Sequence, residues 1–84
     1  LKPIPGMIVD LEIAKIFSNK VTVVINYHEA TFKGCVALTE LSFSDVRINH
    51  LDEIVSVGDK KKGRILKYNH IYNSYDVSLK IRSD

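Results

Sequence analysis

From Ser74 to Arg82 the chain alternates without a break. Tyr75, Val77, Leu79 and Ile81 fall on one face, and Asp76, Ser78, Lys80 and Arg82 on the other. A strict period of two, carried by β-branched and aromatic residues, describes a strand buried on one side. On a helix the same order would scatter the apolar groups around the axis. The stretch before it, Lys60-Lys61-Lys62-Gly63-Arg64-Ile65-Leu66-Lys67-Tyr68-Asn69, follows a Gly58-Asp59 turn and reads as a basic strand. Asn69 and Asn73 bracket the short gap between the two runs, which suits a hairpin loop. The last third of the chain is thus predicted to be a β-hairpin, and the rest must supply strands to pair with it.

Upstream the same period recurs. After a stiff opening at Pro3 and Pro5-Gly6, Met7 to Phe17 alternates, with Met7, Val9, Leu11 and Ile13 inward and Ile8, Asp10, Glu12 and Ala14 outward. Ser18-Asn19-Lys20 forms a turn, and Val21 to Tyr27 is too β-branched to prefer a helix. His28-Glu29-Ala30 is a loop, and Thr31 to Leu38 a third strand around Gly34. A glycine there predicts a bulge or tight bend. The pattern changes at Thr39. Thr39 to Asp45 is rich in capping residues, and Ile48, Leu51, Ile54 and Val55 recur at helical spacing, which predicts a short helix or helical turns between about Phe43 and Val55.

Three strands, a helical connection and two more strands in 84 residues make one domain. The expected fold is all-β: a five-stranded antiparallel barrel of the OB type, because a flat five-stranded sheet would leave long edges unpaired. The expected core is Val9, Leu11, Ile13, Val23, Val36, Leu38, Ile65, Val77 and Leu79. Lys61 shares their inward phase and is expected to snorkel out at the barrel end.

No apolar run reaches the ~20 residues of a membrane helix, no signal-peptide pattern is visible, and Leu1 suggests a chain cut from a longer protein. The lone Cys35 excludes an internal disulfide and a cysteine-built zinc site, and fits a reducing compartment. His28, His50 and His70 lie far apart without an Asp, Glu or Cys at ligand spacing, so neither a metal nor another cofactor is expected. Asp10/Glu12 and Asp52/Glu53 are carboxylate pairs in sequence only. Ser42 and Ser44 have no nearby base, and no glycine-rich phosphate loop is present, so the chain is not expected to be an enzyme.

Charge is more informative than its small total of +2. Through Val57 there are five Lys/Arg against seven Asp/Glu, and from Gly58 onward seven against three. Lys60, Lys62 and Arg64 alternate onto one face, and Lys80 and Arg82 share a face of the neighbouring strand. These five are candidates for a ridge that tracks phosphates, which gives affinity without sequence preference. The competing explanation is a solvated sheet face whose lysines deter edge-to-edge aggregation. Among the aromatics, Tyr68 and Tyr75 have the phase of core caps, whereas Tyr27, Phe32 and Tyr72 adjoin loops and are candidate exposed platforms.

Three stretches, in order, resemble the ribosomal S1-type RNA-binding domain. They are Pro5-Gly6-Met7-Ile8-Val9, then Gly34-Cys35-Val36-Ala37-Leu38-Thr39-Glu40-Leu41-Ser42, then Val57-Gly58-Asp59 with Ile65-Leu66 and Val77-Ser78-Leu79-Lys80. The second is similar to that family's Gly-Leu-Val-His-Ile-Ser-Glu-Leu-Ser element. The valine-rich second strand with Phe32-Lys33-Gly34 and Glu40-Leu41-Ser42 is similar to degenerate repeats in large ribosome-biogenesis factors. The resemblance implies an OB barrel spanning residues 1–84 that binds single-stranded RNA as one repeat of a longer protein. Positions where the family commonly carries an RNA-facing aromatic and a histidine are Thr22 and Ala37 here, and Asp76 stands where a basic residue is common.

The function expected from residues and resemblance together is a nonenzymatic RNA-binding module, weak and mainly phosphate-directed. Its expected setting is a larger RNA-processing or ribosome-assembly protein. Candidate nucleic-acid contacts are Lys20, Thr22, Phe32, Lys33, Lys60, Lys62, Arg64, Lys80 and Arg82. Expected partners are single-stranded RNA, ribosomal precursor RNA in particular, and other proteins of the assembly, with no membrane. The expected location is nucleolar, or cytoplasmic if the ribosome-biogenesis resemblance does not hold. Two alternatives stand beside it: a degenerate repeat that contacts proteins or acts as a spacer, and an accessory domain of a ribonuclease or translation factor.

Overall fold

In the computed structural model, which describes residues 2–41 and 55–80, every alternating run is a strand. They are β1 (Ile8–Ile16), β2 (Lys20–Tyr27), β3 (Ala30–Ala37), β4 (Lys60–Asn69) and β5 (Ser74–Ser78), with a single 3-10 turn at Leu38–Glu40 after β3. The helical segment expected between about Phe43 and Val55 falls almost wholly outside the described residues.

The turns follow from local chemistry. β1 and β2 join through Ser18-Asn19, closed by the Phe17 N–H donating to the Lys20 carbonyl at 2.9 Å. β2 and β3 join through His28-Glu29, both at positive φ (49° and 65°), the two-residue turn whose twist matches a hairpin. Before β4, the Ser56 N–H donates to Asp59 Oδ2 at 2.9 Å around Gly58, whose φ of 93° a side chain would strain.

The sheet closes in the order β1-β2-β3-β5-β4, with β4 returning to β1. The expectation of a wholly antiparallel barrel is corrected at one seam: β3 and β5 run parallel, registered at Gly34 with Tyr75 and Cys35 with Asp76. Parity requires such a seam. Reversing direction at each step around a ring of five strands brings the chain back pointing the wrong way, so one neighbouring pair must be parallel.

Inward phases meet in a core of Val9, Leu11 and Ile13 from β1, Val21, Val23 and Ile25 from β2, Val36, Ile65, Tyr75 and Val77, with Leu41 and Val55 at one end. Seven of the nine expected core residues are there. Leu38 and Leu79 are only half-buried and pack against the rim, because β5 ends at Ser78 and β3 at Ala37. Lys61 is half-buried opposite Leu11, as its phase predicted.

Two expectations are corrected by packing. Gly34 makes no bulge, and its register with Val23 is regular. A Cβ there would sit 2.7 Å from Val23 Cγ2 and 2.9 Å from Ile25 Cδ1, so the glycine is required by a full interior. The irregularities that add twist lie in β1 between Ile13 and Lys15 and in β4 between Ile65 and Lys67. Ser78 does not face solvent with Asp76 but is 5% exposed. Its hydroxyl donates to Glu40 Oε2 at 2.9 Å and accepts from the Lys80 N–H at 3.1 Å. Together with the Leu79 N–H on the Glu40 carbonyl at 2.9 Å, this clamps the 3-10 turn to the end of β5.

Candidate nucleic-acid interface

The phase that buries Val21, Val23 and Ile25 turns Thr22 and Val24 outward, and on β3 it turns out Lys33 and Cys35. Register sets Thr22 beside Cys35 and Val24 beside Lys33. This face continues over the short parallel seam to Ser74 and Asp76 and forms a hollow of about 570 Å³. Lys20 stands at one end and Tyr72 at the other. From Lys20 to Val24 is about 13 Å at the usual strand rise.

Loops shape both ends. Asn69 Oδ1 accepts the Ile71 N–H at 2.9 Å and the Tyr72 N–H at 3.4 Å, and Asn73 takes a left-handed φ of 50°. That side-chain-closed turn throws Ile71 and Tyr72 outward, with Tyr72 70% exposed. At the β1–β2 end, Phe17 is exposed, and the Lys15 and Lys20 Nζ atoms lie 5.1 and 5.3 Å from its ring centroid. Cation–π attraction holds two positive charges beside one apolar platform.

Two groups temper this charge. Asp76 lines the hollow, but Lys67 stands 3.9 Å from its carboxylate. Burial pushes the Cys35 thiol above its ordinary pKa, against the lowering influence of Lys20 and with a further raising influence from Asp76. The groove floor is therefore a neutral thiol at pH 7, among Thr22 and Val24.

The basic ridge lies elsewhere. β4 pairs with β1, so Lys60 is set against Glu12 and Lys62 against Asp10, with Lys62 Nζ 4.0 Å from Asp10 Oδ1. Arg64 faces Ile8 on one side and Ser78 on the other. The ridge exists as a row of exposed cations, two of them opposed by carboxylates that lie far away in the sequence.

The candidate residues thus separate. Lys20, Thr22 and Lys33 come together in the β2–β3 groove, and Lys60, Lys62 and Arg64 form the β4 row. Phe32, expected as an exposed platform, is half-buried against Tyr75 with ring centroids 6.0 Å apart. Its inward phase carries it under the barrel wall. Lys80 is half-buried beyond β5, and Arg82 lies outside the described residues. Tyr27 is half-buried, whereas Tyr68, expected to cap the core, is 38% exposed and leans edge-on against Tyr75 at 4.9 Å. Sequence reasoning passed over Lys15, Phe17 and Asn69. The available signal was their position flanking predicted turns. Among the described residues no three His, Cys, Asp or Glu side chains cluster as metal ligands would.

No protein-family model matches the sequence, and no curated protein is significantly similar to it. Solved structures are similar in shape. A chain of the a/eIF2alpha–aDim2p–rRNA complex from Pyrococcus horikoshii OT3 superposes over 94% of this chain with a TM-score of 0.80 at 14% identity. GSP13 from Bacillus subtilis does so over 99% with a TM-score of 0.76 at 16% identity. A putative exosome complex RNA-binding protein does so over 98% with a TM-score of 0.74 at 15% identity. The chain spans 45%, 66% and 46% of those three chains respectively. At such identities the likeness is one of fold alone, and the shared fold is a closed five-stranded barrel of the OB type.

Proposed function

We propose that this barrel is a nonenzymatic module that binds single-stranded RNA along the β2–β3 groove. The observation that carries the proposal is the meeting of Lys20 and Lys33 with the exposed Tyr72 around one elongated hollow. OB barrels use this face and its two flanking loops for oligonucleotides. The similarity to a chain from a complex containing rRNA and to a putative RNA-binding protein supports the same ligand class.

Phosphate contacts dominate this binding. Thr22, Val24 and Cys35 give the groove floor no ring on which a base can stack, and each such stack would add roughly 1–3 kcal/mol. Lys20 and Lys33 therefore act as phosphate contacts, and Lys60, Lys62 and Arg64 as a more distant attraction weakened by Asp10 and Glu12. The proposed setting is one module of a longer RNA-processing or ribosome-assembly protein, where linked modules raise the effective concentration of RNA. The alternative, a protein-contacting spacer, is favoured by that same bare floor.

Titration with a fluorescent oligouridylate of about twelve nucleotides, within the range of OB site sizes, separates the two. Affinity should fall steeply between low and physiological salt and be similar for uridylate and adenylate sequences. Absence of binding even at low salt would leave only the spacer.

A further inference from the structure

On the other side of the β4–β5 loop from the groove lies a second depression, of about 630 Å³, to which no role has been assigned so far. Phe32, Tyr75, Tyr68 and His70 line it as a chain of edge-to-face rings, with successive centroids 6.0, 4.9 and 4.9 Å apart. The N-terminal segment forms the opposite wall, where Ile4 is 59% exposed and Pro3 buried. The chain of rings is not sealed: Tyr68 and His70 are both exposed, and Tyr68 Oη donates to Asn73 Oδ1 at 3.4 Å across the mouth. Its size is that of a small-ligand site.

We propose that this bay takes an unstacked base of the same RNA strand, one step beyond the groove, and so supplies the stacking that the groove floor lacks. The inference rests on the proposed RNA-binding function. Three observations select a nucleotide as occupant. Lys33 lines both depressions, so a strand held by its ammonium in the groove reaches the bay without a gap. Lys2 is a second cation at the bay, and no carboxylate among the described residues lines it, which suits an anionic backbone. The lining joins aromatic rings to the polar groups of Tyr68 and Asn73, a combination on which an unstacked base of any kind can rest. Backbone turn geometry divides the loop between the two sites, Asn69 and Tyr72 going to the groove and His70 and Asn73 to the bay.

The test compares two RNA lengths on two variants. Tyr68→Leu keeps an apolar side chain beside Tyr75 but removes the ring, and Ile4→Glu places a carboxylate at the exposed mouth without touching the core. Both should melt close to the parent protein. Each should weaken binding of a twelve-nucleotide oligouridylate by about fivefold or more, the lower end of what one lost stack costs. Binding of a four-nucleotide oligouridylate, short enough to occupy the groove alone, should be unchanged. If the parent binds the long oligonucleotide and both variants bind it equally well, the bay is off the RNA path and this inference is wrong while the groove reading stands. The inference is equally overturned if the two substitutions release an acidic peptide and leave RNA bound. If the parent binds neither RNA, both readings fall together.

Discussion

Gly34 and Cys35 are neighbours on β3 that face opposite sides of the barrel wall, and each shows what single residues disclose. Alternation placed Gly34 inward, but it gave no measure of the space there, so the glycine read as a bend. In the fold Val23 and Ile25 leave it no room for a methyl group. Cys35 was legible as a solitary thiol, though its place on the groove floor depends on pairing with Thr22 and on the parallel seam to Asp76. Its pKa is raised chiefly by burial, so the thiolate fraction at pH 7 is smaller than in a free cysteine. Iodoacetamide should alkylate it more slowly than a free cysteine at pH 7. The rate should rise with pH over a range shifted upward from that of the free thiol, and saturating oligouridylate should slow it further. Labelling at the free-cysteine rate with RNA bound would argue that the groove floor stays open.

At the scale of elements, the strands and the turns between them were easy to find, and the lateral seams that close the sheet were not. Each run announced itself by period, because burying one face of a strand forces that period on the sequence. β5 departs from it at Ser78, where a small hydroxyl turns in to satisfy Glu40. The Glu40-Leu41 and Val77-Ser78-Leu79 stretches that carried the resemblance to S1-type domains are thereby joined in space. Ser78→Ala should destabilise the domain by about 1.5–3 kcal/mol, the usual worth of a hydrogen bond to a charged group. Denaturant melts read this directly, and Ser78→Ala combined with Glu40→Ala should cost less than the sum of the two changes. Simple additivity would mean that the Ser78–Glu40 side-chain hydrogen bond contributes nothing. The parallel β3–β5 seam was likewise deducible in principle, from the odd number of strands. It requires thinking of the sheet as a ring, which no local pattern prompts.

At the scale of the whole molecule, the distribution of charge along the chain and in space diverge. The sequence concentrates its surplus cations in the last third, which made β4 the first candidate for phosphate contact. Closure of the barrel then lays β4 against β1, where Asp10 and Glu12 oppose Lys62 and Lys60. It also gathers Lys20 and Lys33, from successive strands, around one hollow with Tyr72. Which cations act together is a property of topology, and only the strand pairing discloses it. The direct test of the groove is to compare the salt dependence of oligouridylate binding for Lys20→Gln/Lys33→Gln with that for Lys60→Gln/Lys62→Gln/Arg64→Gln. The groove variant should bind more weakly and flatten the slope of log K against log salt by about 1.4, the value for two lost phosphate contacts on a single strand. The ridge variant, although it loses one more charge, should change both quantities less. A groove variant that binds like the parent, beside a ridge variant that does not bind, would contradict the account.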